Sequence, residues 1–189
     1  MNAYYSELAF RREVERLLGE CRGLWSVYAR QRGLGMTVGG DGSPILAGRL
    51  EGAPVELFSS GNADRGFRTR ARIEVKLSEA GTLHVHPPNA VQELVGQIFH
   101  RDFFGIARLD ERLVVRSSPS ALAKEIVDEP VRNLLGLVVD RPLYELVYAG
   151  GVLSFTWAGV EHDVPTLDAT LDLLAHLAGR GAVNAAPYR

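Results

Sequence analysis

Two histidines one residue apart, His84 and His86 in the stretch GTLHVHPPNAV over 81–91, are the pairing in this chain best suited to chemistry. In an extended strand, residues two apart point to the same face, so His-x-His can present two imidazoles to one zinc or iron ion. A complete site needs at least a third donor, and by residue type His100, Asp102, His162 and Asp163 are the candidates. None of them stands at a diagnostic spacing, and the chain has no His-Glu-x-x-His, no Cys-x-x-Cys and no paired-carboxylate motif. The plainer expectation is that both histidines sit on the polar side of an edge strand, with Leu83 and Val85 turned inward.

A second constellation is the arginine row Arg68, Arg70 and Arg72, which alternation places on one side of a strand. Three guanidiniums in a line can grip an anion or an acidic protein surface, or can face solvent with their charge offset by Glu56 or Glu51 on a neighbouring strand. Few aromatic residues interleave with them, so a platform for single-stranded nucleic acid is not expected. A third is aromatic. Tyr144 and Tyr148 alternate along one segment, as do Phe155 and Trp157 along the next, so two strands offer a large apolar face. Core is the default for such a face, and a pocket for a small apolar ligand beneath a covering helix is the alternative.

Other features point away from catalysis. The glycine-rich GLGMTVGGDGSP follows a helix and precedes a strand, the reverse of the order a phosphate-binding loop requires, and no Gly-Lys-Ser/Thr is present. Cys21 falls on the apolar stripe of a helix and is expected to be buried and inert. Glu161, His162 and Asp163 are consecutive and diverge in direction, which reads as a solvated polar turn. His176 stands four residues after Asp172, the spacing of a surface pair.

The elements that hold these residues follow from periodicity. Phe10, Val14, Leu17, Leu18, Cys21, Leu24, Trp25 and Tyr28 recur at helical spacing, predicting an amphipathic helix over 7–28 that Gly33 and Gly35 end. Short apolar runs between Gly-Gly, Asp-Gly-Ser-Pro, Glu-Gly-Ala-Pro and Gly-Asn-Ala-Asp then read as antiparallel hairpins. FRTRARIEVKL, 67–77, alternates without a fault and is the most secure strand. TLHVHP pairs back as another, Asn89 caps a helix over 90–99, and ARLDERLVVRS is a further strand. Ser118 as N-cap with Pro119 at the first helical position opens a helix that Pro130 must bend or divide in two. Two strands about Gly150-Gly151 form a hairpin, and Thr166 caps a last helix. Together these predict an α+β fold: antiparallel sheet built from hairpins, an N-terminal amphipathic helix, and further helices on one face. A single domain over 1–183 with a frayed tail at 184–189 is expected, divisible into two β-rich lobes at 1–103 and 104–180 if the halves form separate sheets.

Composition bounds the rest. With 189 residues, 46% hydrophobic and 23% charged, and a mean hydropathy of -0.01, the chain is ordinary for a globular protein. A net charge of -2 offers no global field for nucleic acid. Lys76 and Lys124 are the only lysines among 21 basic residues, a bias of composition more than of function. One cysteine excludes an intrachain disulfide, and neither a signal-peptide pattern nor a membrane-spanning run is visible, so a cytoplasmic protein without membrane insertion is expected.

The run IARLDERLVVRSSPSALAKEIVDEPVRNLL, 106–135, resembles uncharacterised bacterial domains that carry a Phe-Asp-x-x-Phe-x-Val strand, a Ser-containing turn, a helix and Val-Arg-x-x-Leu. Here 109–115 takes the strand position, with leucines where the aromatics usually stand. The resemblance covers the C-terminal half, implies no activity and carries over no catalytic residue. The reading that results is a non-enzymatic bacterial accessory or adaptor protein with a protein partner, or a homodimer, and no cofactor. A small apolar ligand module and a metal-dependent enzyme using His84 and His86 are the alternatives.

Overall fold

The computed structural model describes the backbone of residues 2–62, 66–75, 80–87, 112–140 and 144–183. The helix expected over 90–99, His100, Asp102 and the tail 184–189 lie outside the described residues.

Helix α1 runs Asn2–Arg32, longer at both ends than its apolar stripe. Among its described side chains Leu18, Cys21, Trp25, Tyr28 and Ala29 are buried, at the three- and four-residue spacing that gives one face. The chain leaves it with Leu34 N–H donating to Ala29 O at 2.8 Å. Strands β1 (Gly35–Val38), β2 (Pro44–Leu50), β3 (Ala53–Asn62) and β4 (Gly66–Glu74) follow as an antiparallel meander. After β5 (Thr82–His86) and β6 (Val114–Ser118) come α2 (Ser120–Ile126) and α3 (Glu129–Val138). Strands β7 (Glu145–Ala149) and β8 (Val152–Ala158) and helix α4 (Val164–Val183) complete the described order.

All eight strands belong to one antiparallel sheet, ordered β1-β2-β3-β4-β8-β7-β5-β6. β4 pairs with β8 from Arg68–Ala158 to Glu74–Val152, and β5 pairs with both β6 and β7, so strands from the two halves of the chain interleave in a single sheet. The fold is α+β, as the alternation of hairpin strands and helices predicts. Gly150 and Gly151 both have positive φ, 59° and 82°, the backbone of the tight two-residue turn that joins β7 to β8.

One face of the sheet is apolar from side to side. Leu46, Leu57, Ala71, Phe155, Leu146, Val85 and Val115 form a row across β2, β3, β4, β8, β7, β5 and β6, and every one is buried. α1 packs on β1 and β2, α4 on β2, β3 and β4, α2 on β5 and β6, and α3 on α4. Truncating a leucine in that row to alanine is expected to cost about 2–5 kcal/mol, since close-packed neighbours collapse only partly into the cavity. At Gly81 a Cβ would lie 2.3 Å from Ser118 O and 2.9 Å from a Leu122 methyl, so β5 enters beneath α2 only without a side chain there.

Three local expectations change. Pro130 does divide the helical run into α2 and α3, but the first begins at Ser120 with Pro119 at its N-cap and no side-chain cap; Asp128 caps the second by accepting from Val131 N–H at 3.3 Å. Asp163, three residues ahead of Thr166, caps α4, its carboxylate accepting from Thr166 N–H at 3.1 Å and Thr166 Oγ1 at 2.7 Å. Most telling is Glu161, which is 0% exposed where a solvated turn was expected. Its carboxylate accepts from Trp157 Nε1 at 2.7 Å and Asp163 N–H at 2.8 Å. Its carbonyl accepts from Trp25 Nε1 at 2.8 Å, and its N–H donates to Thr69 Oγ1 at 3.0 Å. One residue thereby ties α1, β4, β8 and the start of α4 together.

Candidate functional site

The other face of the sheet carries the polar side chains, because a residue two positions on in a strand returns to the same side. Glu56, Arg72, Ser154, Val147, His84 and Arg116 lie in one row across β3, β4, β8, β7, β5 and β6. Phe58, Arg70, Thr156 and Glu145 form the next row. Both sequence candidates, the histidine pair on β5 and the arginine row on β4, therefore stand on the same face with β7 and β8 between them.

β5 lies between β6 and β7, an interior position rather than the edge expected for it. Leu83 and Val85 do turn inward to the core. The imidazoles of His84 and His86 come together on the opposite side with ring centroids 4.6 Å apart, and the register one step beyond the Val85–Leu146 pair sets His86 beside Glu145. His84 Nε2 and Glu145 Oε1 share a hydrogen at 2.6 Å. No sequence signal ties Glu145 to a histidine 61 residues away; only the β5–β7 pairing does.

His86 is the unusual member. It is 8% exposed, and its Nδ1–H donates to Pro87 O at 2.8 Å. A carbonyl can only accept, so that bond fixes the proton on Nδ1 and leaves Nε2 as a bare acceptor. Nε2 is buried and has no hydrogen-bond partner. Burial pushes the His86 pKa below its ordinary 6.5; the Pro87 carbonyl opposes this, His84 and Arg116 add to it through like charge, and Glu145 opposes it. Among the described residues no three His, Cys, Asp or Glu side chains already converge as a metal cluster.

At the arginine end, Arg72 meets Glu56 at 3.6 Å with both side chains nearly half exposed. Arg70 Nε donates to Thr156 Oγ1 at 3.1 Å, and its guanidinium lies 5.8 Å over the Phe58 ring. Arg68 is exposed. The expected offset by Glu56 is thus present for one guanidinium of the three.

Tyr144, Tyr148, Phe155 and Trp157 all lie on the helix-covered face, between 0% and 5% exposed. Tyr144 donates from its hydroxyl to Arg112 O at 2.7 Å, and Phe155 and Trp157 pack ring to ring at 5.1 Å. A cleft of about 640 Å³ opens elsewhere, at the end of the sheet between the β2–β3 and β7–β8 turns, lined in part by Arg49, Glu51, Pro54, Glu74, Gly151 and Ala178. None of the four aromatics lines it. Cys21 is buried as expected, and burial raises its thiol pKa, the reverse of what a nucleophile needs. His176 pairs with Asp128 of the α3 cap at 2.6 Å, while Asp172 takes Arg32 at 2.6 Å, so the four-residue spacing between them is not a pair. No described helix is long and apolar enough to cross a membrane.

No protein-family model matches the sequence, and no curated protein matches it. Among solved structures, the chain is similar to the crystal structure of the mycobacterial trehalose monomycolate transport factor A, TtfA, at 12% identity, covering 85% of this chain and 92% of that one with a TM-score of 0.49.

Proposed function

We propose that this is a bacterial accessory or adaptor protein that acts by binding, through the arginine end of its polar face, an acidic surface of a partner protein. The observation that carries the reading is the row Arg68, Arg70 and Arg72 on β4, with one carboxylate among the described residues, Glu56, in ion-pair contact. Alternate residues of a strand stand about 6.6–6.8 Å apart. That repeat matches carboxylates at alternate residues of an extended partner segment, and planar guanidiniums bind carboxylates in a two-pronged geometry. β4 is flanked by β3 and β8, and Arg70 is held by Phe58 and Thr156, so the central guanidinium of the row has little side-chain freedom left to lose on binding. A cytoplasmic setting fits the lone, buried thiol of Cys21.

The test is fluorescence anisotropy with a labelled peptide of alternating glutamate and threonine. Saturable binding that weakens with salt, and falls at least about tenfold in Arg68→Glu/Arg70→Glu, is the expected result. Equal binding by that variant, or by a glutamine peptide, would contradict it. Light scattering on the same samples separates the other occupant: a dimer that the two substitutions dissociate gives this face to a second copy of the chain.

A further inference from the structure

We infer that β1 is where two copies of this chain join, pairing antiparallel and edge to edge into one continuous sheet. The inference is independent of the arginine face and starts from the hydrogen bonds of that strand. β1 is the outermost strand of the sheet, and among the described residues it pairs with β2 alone. Opposed residues of an antiparallel ladder alternate between pairs that exchange hydrogen bonds and pairs that do not. Gly39 N–H donates to Ser43 O at 2.8 Å, so the next opposed pair, Val38–Pro44, exchanges none, as suits a proline without an N–H, and Met36–Leu46 exchanges none either. The N–H and C=O groups of Met36 and Val38 therefore point away from β2, and no described residue takes them.

The side chains leave this edge open as well. Gly35, Thr37 and Val38 are exposed, Val38 to 52%. Between Gly35 and Gly40 the chain has no charged residue and no proline, the devices that commonly keep an edge from pairing. The opposite edge is guarded, since β6 carries the exposed Arg116 and has α2 packed on it. A second β1 fits the open edge in both respects. About a two-fold axis at Thr37, Met36 of each copy stands opposite Val38 of the other, and each such pair exchanges both of its outward bonds. Methionine and valine then meet on the helix-covered side, where Met36 already packs against the core and Val38 is otherwise exposed. The two threonines meet on the polar side, and no like charges are opposed. A two-fold axis normal to the sheet keeps like faces together, so the arginine rows of both copies look the same way. With β1 only four residues long the contact is small, which places it among weak, reversible interfaces.

Sedimentation velocity of the untagged full chain, from about 1 μM to about 1 mM, tests the pairing. A reversible monomer–dimer equilibrium within that range is expected. Val38→Pro removes an outward N–H and no β1–β2 bond, and should weaken the dimer at least about tenfold. Because a proline can also disturb the hairpin, a charge pair supplies a second test. Thr37→Lys and Thr37→Glu should each stay monomeric at concentrations where the wild type is dimeric, and a mixture of the two should associate. A wild type that is monomeric throughout, or variants that dimerise as the wild type does, would overturn the proposal. So would a dimer that Arg68→Glu/Arg70→Glu dissociates. A dimer that tolerates those two substitutions in a protein that ignores the acidic peptide would sink the arginine-face reading and leave this one standing, so the two failures are separate results.

Discussion

Two buried polar groups, Glu161 in the connection between β8 and α4 and His86 at the end of β5, are treated in opposite ways. Glu161 is 0% exposed and bonded at both carboxylate oxygens and both backbone polar groups. His86 is 8% exposed and bonded at Nδ1 but not at Nε2. A buried polar group costs free energy unless its partners are present, so the first pattern is that of a structural fastener, while the second leaves one ring nitrogen, like Ser43 Oγ, buried without a partner. Burial alone does not distinguish the two residues; the count of satisfied atoms does.

Substitutions can break this contrast. Glu161→Ala should have the largest effect, lowering unfolding free energy in urea by about 2–4 kcal/mol, because Trp157 Nε1–H and Asp163 N–H would remain buried without acceptors. A loss below about 1 kcal/mol would mean that Glu161 is not the fastener described.

Acid should come next. The folded-state pKa of His86 is lowered, so as pH falls the unfolded chain takes up its proton first. In metal-free protein its contribution to stability is fully present above pH 6.5 and is lost as pH falls from 6.5 through the lower folded-state value. The slope from this one site is at most about 1.4 kcal/mol per pH unit. Urea unfolding across that window should show this loss in the wild type and a flatter profile in His86→Phe.

His86→Phe itself should change stability at neutral pH by no more than about 1 kcal/mol, since it removes an unsatisfied atom together with a bond to Pro87 and keeps similar volume. A large loss would show that Nε2 has a partner after all. The smallest effect belongs to exposed ion pairs. Asp172→Asn, which removes the nearer of the two carboxylates that Arg32 meets, should cost under about 1 kcal/mol in the same urea assay.

The sequence made the strands and their faces legible wherever alternation was complete. The inward turn of Ala71 and Ile73 and the outward turn of Arg68, Arg70 and Arg72 follow from period two alone. Which strands are neighbours was not legible. β4 meets β8 through pairs such as Arg70–Thr156, far apart in sequence, and nothing local specifies that partner. Two polar groups take partners that sequence spacing does not show. Three adjacent polar residues at 161–163 look like a solvated turn, although Trp157 four residues earlier is an indole that needs an acceptor once buried, and that signal could have pointed to Glu161. His176 was assigned Asp172 on helical spacing, while Asp128 arrives from α3 and takes it. The His84–His86 pair was visible as a motif, but Glu145 joins it only through the β5–β7 register.

The most direct measurement is the protonation pattern of His86 by long-range ¹H–¹⁵N correlation at neutral pH on metal-free protein. A neutral ring with its proton on Nδ1 and a bare Nε2 is the predicted result. A proton on Nε2, or a doubly protonated ring, would contradict the account, because His86 would then offer no bare lone pair and its contrast with Glu161 would not stand as described.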